Sequence, residues 1–227
     1  DYNLDGFFTP DGRETDQFNP DDDGDVENPY CNSGYIRIHS DVSMDAFPGF
    51  VLSVDEEVEI EPGAQILSND YNHQFFWKLA SSPLVVEAAG FNIISIAEGS
   101  GEGMVSLRMR IDQNGRYTLI TDCEPRVVNY TITTTGGGIN RITEEDIHLA
   151  FGNHHFGYVS PEAPPMVFEM LEEVGHPNEF VGQVERDDQG VRYIAGDDTF
   201  ELPADFVGMS GTCIREWEIR LDRLPQR

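Results

Sequence analysis

Apolar and polar residues alternate with a period of two through the middle of the chain, and this alternation restricts its fold more than any other feature. Val105, Leu107, Met109 and Ile111 fall on one face of an extended segment, and Ser106, Arg108 and Arg110 on the other. Asp112-Gln113 leads into Asn114-Gly115, a pair that supplies the positive φ of a tight turn, and Arg116 to Thr121 returns. A helix would scatter the same residues around its circumference, so the segment predicts a β-hairpin.

The same period recurs on both sides of that hairpin. Tyr35 to His39 and Glu57 to Glu61 alternate, while Gln74 to Leu79 and Leu84 to Ala97 are more apolar and suit strands covered on both faces. Val127 to Thr135 is β-branched and ends in Gly136-Gly137-Gly138. A second hairpin is expected from Phe180 to Val184, through Asp187-Asp188-Gln189-Gly190, to Val191 to Ile194. In the last strand Cys213, Trp217, Ile219 and Leu221 share a face. Two short helices are expected between strands. Thr143 is an N-cap with Asp146 three residues on and Gly152 as the stop, and Pro165 to Val174 is followed by Gly175 and Pro177. The glycines of Gly99-Ser100-Gly101-Glu102-Gly103 read as a loop. About ten strands and two helices predict an all-β sandwich, jelly roll or barrel over residues 34–227, preceded by an acidic irregular arm over residues 1–33.

Charge narrows the partners. The chain of 227 residues carries 42 acids against 14 bases, a net −28. A field of that sign repels nucleic-acid phosphate and anionic lipid, so neither nucleic acid nor membrane insertion is expected. No apolar run approaches the roughly 18 residues that a spanning helix needs. Thirteen of the bases are Arg and one is Lys, at Lys78. Adaptation to high salt accounts for such a surface, because screening removes much of the repulsion between carboxylates; a GC-rich coding bias in an acidic exported protein accounts for it equally. The start at Asp1 fits a processed mature protein or a trimmed chain. Cys31, Cys123 and Cys213 lie far apart without a Cys-x-x-Cys pair, allowing one disulfide at most, in any of the three pairings.

Residues 1–33 hold ten acids and one base, Arg13, and would not fold alone without cations. Oxygen side chains stand at alternate positions in Asp1-Tyr2-Asn3-Leu4-Asp5-Gly6, and again in Asn19-Pro20-Asp21-Asp22-Asp23-Gly24. Calcium takes six to eight hard oxygen ligands, and this spacing lets ligands 1, 3 and 5 wrap one ion while the glycine permits the turn. The two segments resemble the first half of an EF-hand or dockerin loop, without the glutamate at position twelve, where Gly12 and Tyr30 stand. With Asp25, Glu27, Asn28 and Cys31, the second is similar to the acidic calcium repeats of thrombospondin type 3. That resemblance covers about thirty residues and implies calcium held by Asp1, Asn3, Asp5, Asn19, Asp21, Asp23, Asp25 and Glu27, in an extracellular setting.

Other constellations are weaker in chemistry. His154 and His155 are adjacent and point to opposite faces if the segment is a strand, while in a loop with His148 they could hold zinc or nickel. Glu216 and Glu218 share a strand face, as the paired carboxylates of sugar hydrolysis require. Glu216-Trp217-Glu218 is similar to the Glu-x-Asp-x-x-Glu strand of jelly-roll glycosidases, but Glu replaces the second acid and Leu221 the third. An alternative glycan site therefore comprises Trp77, Glu216, Trp217 and Glu218, against a bland reading of core aromatics and a solvated acidic strip. No Gly-x-Ser-x-Gly elbow or phosphate-cradling Gly-Lys-Ser/Thr is present. The expectation is a non-enzymatic extracellular or cell-surface β domain, with a virion shell among the settings, that self-associates or binds a surface partner. Its alternative is a carbohydrate-binding or glycan-active jelly roll.

Overall fold

The structure is a computed structural model, described over residues 32–64, 71–111, 114, 116–123, 126–155, 179–202 and 211–221. The acidic arm up to residue 31, Cys31 included, and the Pro165 to Val174 segment lie outside the described residues. Among the described residues twelve strands follow in order: β1 Asn32–Met44, β2 Val51–Ala64, β3 Tyr71–Ser81, β4 Leu84–Ala88, β5 Phe91–Ile111, β6 Tyr117–Asp122, β7 Arg126–Gly136, β8 Ile139–Ala150, β9 Asn153–His155, β10 Glu179–Arg186, β11 Arg192–Leu202 and β12 Gly211–Leu221. All pairings are antiparallel.

The described residues form an all-β fold, and its sheet closes on itself. Strands run β3-β2-β1-β12-β11-β10-β6-β5, and β5 then pairs back onto β3 from Tyr71↔Leu107 to Ala80↔Glu98. The result is an eight-stranded barrel whose edges are satisfied by closure. Alternation decides what faces inward. Ile36, Ile38 and Val42 of β1, Leu52, Val54, Val58 and Ile60 of β2, and Phe75, Trp77 and Leu79 of β3 are all buried. From the far wall come Val105, Leu107 and Met109, then Tyr117 and Leu119, and on β12 Cys213, Trp217, Ile219 and Leu221. Each such side chain contributes about 1.5–3 kcal/mol through burial. The hairpin through Asn114 forms as expected, with Ile111↔Tyr117 its last pair, as does the hairpin of β10 and β11.

The glycine-rich run is not a loop. Gly99, Gly101 and Gly103 lie inside β5, opposite Leu79, Trp77 and Phe75 of β3. A Cβ on Gly101 would lie 2.7 Å from the Trp77 ring, and one on Gly103 2.4 Å from that of Phe75. The glycines thus leave room for two large rings in an interior that eight strands make narrow.

The expected helix from Thr143 to Gly152 is also replaced by strand. Residues 143–150 form the second half of β8, paired with the β-branched β7 from Ile132↔Thr143 to Arg126↔Leu149. The capping pattern was compatible with a helix, but a long β-branched neighbour offers those backbone groups a ladder, and tertiary pairing prevails over local preference. Gly152 does end the element, at a φ of +70°. The run from Leu84 to Ala97 is two strands, β4 and the start of β5, turned at Ala89-Gly90 with positive φ at both residues. It is largely exposed rather than covered on both faces.

β5 is long enough to serve two structures. Its C-terminal half belongs to the barrel, and its N-terminal half pairs β4 on one side and β7 on the other. With β8 added, β4-β5-β7-β8 forms a four-stranded wing extending the barrel wall. Ser95 and Thr134 bond across it at 2.9 Å.

Candidate functional site

Two polar arrangements stand out, one inside the barrel and one outside. The inner one begins on β12, where the inward-facing series Cys213, Trp217, Ile219 and Leu221 also contains position 215. Arg215 is fully buried. Its Nε donates to Asp198 Oδ1 at 2.7 Å, its Nη2 donates to Asp198 Oδ2, and its Nη1 donates to the Gly152 carbonyl at 2.7 Å. The Phe180 and Phe200 rings lie 4.5 and 5.1 Å from the guanidinium carbon. A delocalised planar cation accepts such a setting better than an ammonium would.

Gly152 belongs to the turn joining β8 to β9, and this turn enters the barrel. Phe151 is buried with its ring 5.3 Å from Phe75. The Gly152 N–H donates to Glu56 Oε2 at 2.7 Å from the opposite wall. One peptide unit on each side of Gly152 is therefore held, by a carboxyl from β2 and a guanidinium from β12. The turn acts as a plug.

Burial pushes the Glu56 carboxyl up to about 8, against the pull of the Gly152 N–H and the Arg215 charge. An unfolded chain gives this proton up near 4.5. Below that value both states hold the proton and Glu56 contributes no pH dependence. From about 4.5 to about 8 only the unfolded chain releases it, so stability falls across that window as pH rises. Glu56→Gln retains a carbonyl acceptor for Gly152 and removes the titration. Its unfolding midpoint, measured against wild type from pH 5 to 9, is expected to gain on wild type steadily up to about pH 8. Parallel profiles would show that the carboxyl does not titrate there.

The outer arrangement covers β2, β1, β12 and β11. An open groove of about 400 Å³ is lined by Arg37, His39, Glu185, Tyr193, Glu216 and Glu218. A second, of about 430 Å³, runs over β1 to β3 past Asp55, Glu57, Phe76 and Lys78. Arg37 and His39 line both grooves. Arg37 donates to Glu57 and lies 4.0 Å over the Tyr35 ring. His39 Nδ1 is 2.6 Å from Asp55, and Nε2 is 3.3 Å from Asp41. Partial burial opposes its charge, but the bond to Asp55 and the two carboxylates prevail and raise its pKa.

Glu218 is fixed rather than free. It accepts from Tyr35 Oη at 2.8 Å and from Arg220 Nε at 2.8 Å, and Arg220 Nη1 donates to Asp187 at 2.7 Å. Burial works against its charge, yet the bonds from Arg220 and Tyr35 hold its pKa below the ordinary range. A proton-donating acid in sugar hydrolysis needs the opposite shift. Tyr193 is covered on one face by Arg220, 4.7 Å away, and donates to Glu185.

Comparison with known protein families, curated proteins and solved structures finds no match to this chain.

Of the glycan candidates, Glu216, Trp217 and Glu218 border the first groove and Trp77 the second, but the two tryptophans are each 5% exposed and belong to the core. Their rings pack inward, Trp217 edge-on to Phe180 at 5.2 Å, so that reading rests on the two acids alone. The calcium candidates Asp1, Asn3, Asp5, Asn19, Asp21, Asp23, Asp25 and Glu27 lie outside the described residues. β9 pairs with β8 so that His155 stands opposite His148 and His154 opposite Leu149. Cys213 is a buried thiol whose pKa burial pushes up to about 12. Cys123 Sγ donates to the Met104 carbonyl. The inner residues Glu56 and Arg215 were missed, although each interrupts an apolar series: Leu52, Val54, Val58, Ile60 in one case, and Cys213, Trp217, Ile219, Leu221 in the other.

Proposed function

We propose that this chain is a non-enzymatic binding and assembly domain of an extracellular or cell-surface structure, a virion shell included, with a calcium-loaded N-terminal arm. The observation that carries the reading is the wing. Val85, Val86, Phe91, Ile139 and Ile142 are exposed there, and within residues 84–97 and 131–143 only Glu87 and Arg141 are charged. In a chain of net −28, an apolar, electrically neutral projection is what a contact surface requires. The barrel supports this as a rigid base, its interior filled with side chains. Its outer face carries Arg37, Asp55, Glu57 and Glu216, which suits water and not lipid.

A glycan array followed by turnover assays on the intact chain tests the reading against a glycan-active enzyme. The expected result is no turnover. Cleavage of any glycan that is lost in both Glu216→Gln and Glu218→Gln would overturn it. For the arm, titration calorimetry is expected to show calcium binding to the intact chain and a clear loss of heat when Asp21, Asp23 and Asp25 are changed to alanine. Equal heats for both chains would remove calcium from the proposal.

A further inference from the structure

We infer that two copies of this chain join through the edge of β8 that no described strand covers, by antiparallel pairing about a two-fold axis at Ile142, making one eight-stranded sheet from two wings. The inference rests on the reading of the chain as an assembly domain and names the partner. Along residues 139–147, β8 pairs only with β7 among the described strands, since β9 reaches only residues 148–150. Such an edge presents a row of backbone donors and acceptors whose natural partner is another extended strand. Ile142, at 68% the most exposed of the large apolar residues described, sits at its centre.

Charge selects the partner and limits the register, and the exposed side chain of Ile142 sets its centre. Two copies at −28 repel wherever their acidic walls meet, and the wing is where that repulsion is weakest. Residues directly opposite in an antiparallel pair share a face, so a two-fold perpendicular to the sheet must pass between a residue and its own copy. Centred on Ile142, it sets Ile142 against its own copy, Arg141 against Thr143 and Asn140 against Glu144. No like charges then face each other. Centred on Glu144, Glu145 or Asp146, the acidic residue at the axis would confront its own copy, which is unfavourable. The acidic half of β8 thus excludes the longer registers, and its neutral half supplies the contact. Pairing also joins the row of Ile96, Thr133 and Ile142 in one wing to the same row in its copy.

Sedimentation equilibrium on the intact chain, in sodium chloride sufficient to screen its net charge, tests the inference. The expected result is a concentration-dependent dimer with exchange protection appearing, as it forms, at the alternate amides of residues 139–144 that point away from β7. Ile142→Lys places two ammonium groups face to face and should raise the dissociation constant about tenfold or more. Ile214→Lys, on the outer wall of β12, should leave it unchanged. A monomer throughout, a dimer indifferent to Ile142→Lys, or edge amides already protected in the monomer because the chain covers its own edge would each overturn it. Glycan turnover would remove the assembly reading itself, whereas a monomer without turnover would remove only this pairing.

Discussion

Arg215→Ala is expected to lower the unfolding free energy by about 3–5 kcal/mol, the range for breaking a buried ion pair from one side. The guanidinium satisfies Asp198 with two bonds and the Gly152 carbonyl with one, and fills the space between Phe180 and Phe200. Alanine leaves the Asp198 carboxylate without its cation, deprives a buried carbonyl of its donor and opens a cavity. Asp198 is 28% exposed and recovers part of its loss by hydration. Arg215→Met separates the contributions: it refills much of the volume without restoring a donor, so it should recover the packing share alone. Urea unfolding measures both. A loss below about 1 kcal/mol for the alanine variant would mean that the pair does not hold the barrel together.

Gly152→Val should be nearly as damaging, for a steric reason. At φ +70° a β-branched residue is strained before any contact is considered. A Cβ there would also lie 2.3 Å from Phe180 Cζ and 2.9 Å from Ile38 Cδ1, both buried and unable to give way. The plug would have to withdraw, losing the bond that Gly152 N–H donates to Glu56 and the one its carbonyl accepts from Arg215. Strain and overpacking together predict a loss of about 3 kcal/mol or more. Alanine at the same position meets the same atoms with one carbon and should fall between wild type and valine. Because Gly152 and Arg215 share a bond, the double variant should lose less than the sum of the two single losses. Strict additivity would show that the two residues act independently.

Where the wall alternates cleanly, its strands were legible from residue types alone. Val105 to Thr121 turns at Asn114 and pairs as its pattern dictates, because burial of one face leaves no other register. Closure was not legible, since nothing in β3 or β5 says that Tyr71 will meet Leu107. The glycines of β5 misled for a definite reason: a glycine that makes room for Trp77 or Phe75 looks the same as one that bends a loop. Thr143 to Gly152 misled because a cap, an acid three residues on and a terminal glycine are local signals, while the partner that makes the segment a strand lies on β7. Glu56 and Arg215 were visible as polar residues in apolar series. What they bind was not, because Gly152 is 96 positions from one and 63 from the other. The grooves bring Arg37 and His39 together with Glu216 and Glu218, and only the register of β1 with β12 could reveal that.

The place of β1 sets the order in which the chain can fold. It lies between β2, which follows it directly, and β12, paired from Gly34↔Leu221 to Met44↔Gly211. The first described strand therefore waits for the last described one. While the chain is made, β1 and β2 can form a hairpin early, but the other side of β1 stays unpaired until residues 211–221 have emerged. Closure must then overcome the entropy of a loop spanning nearly the whole domain, the condition under which β proteins fold slowly. An unpaired edge held open for that time invites pairing between nascent chains. The surplus of carboxylates, a burden to the compact state, is an advantage at that stage, because unfinished copies repel one another until the barrel shuts.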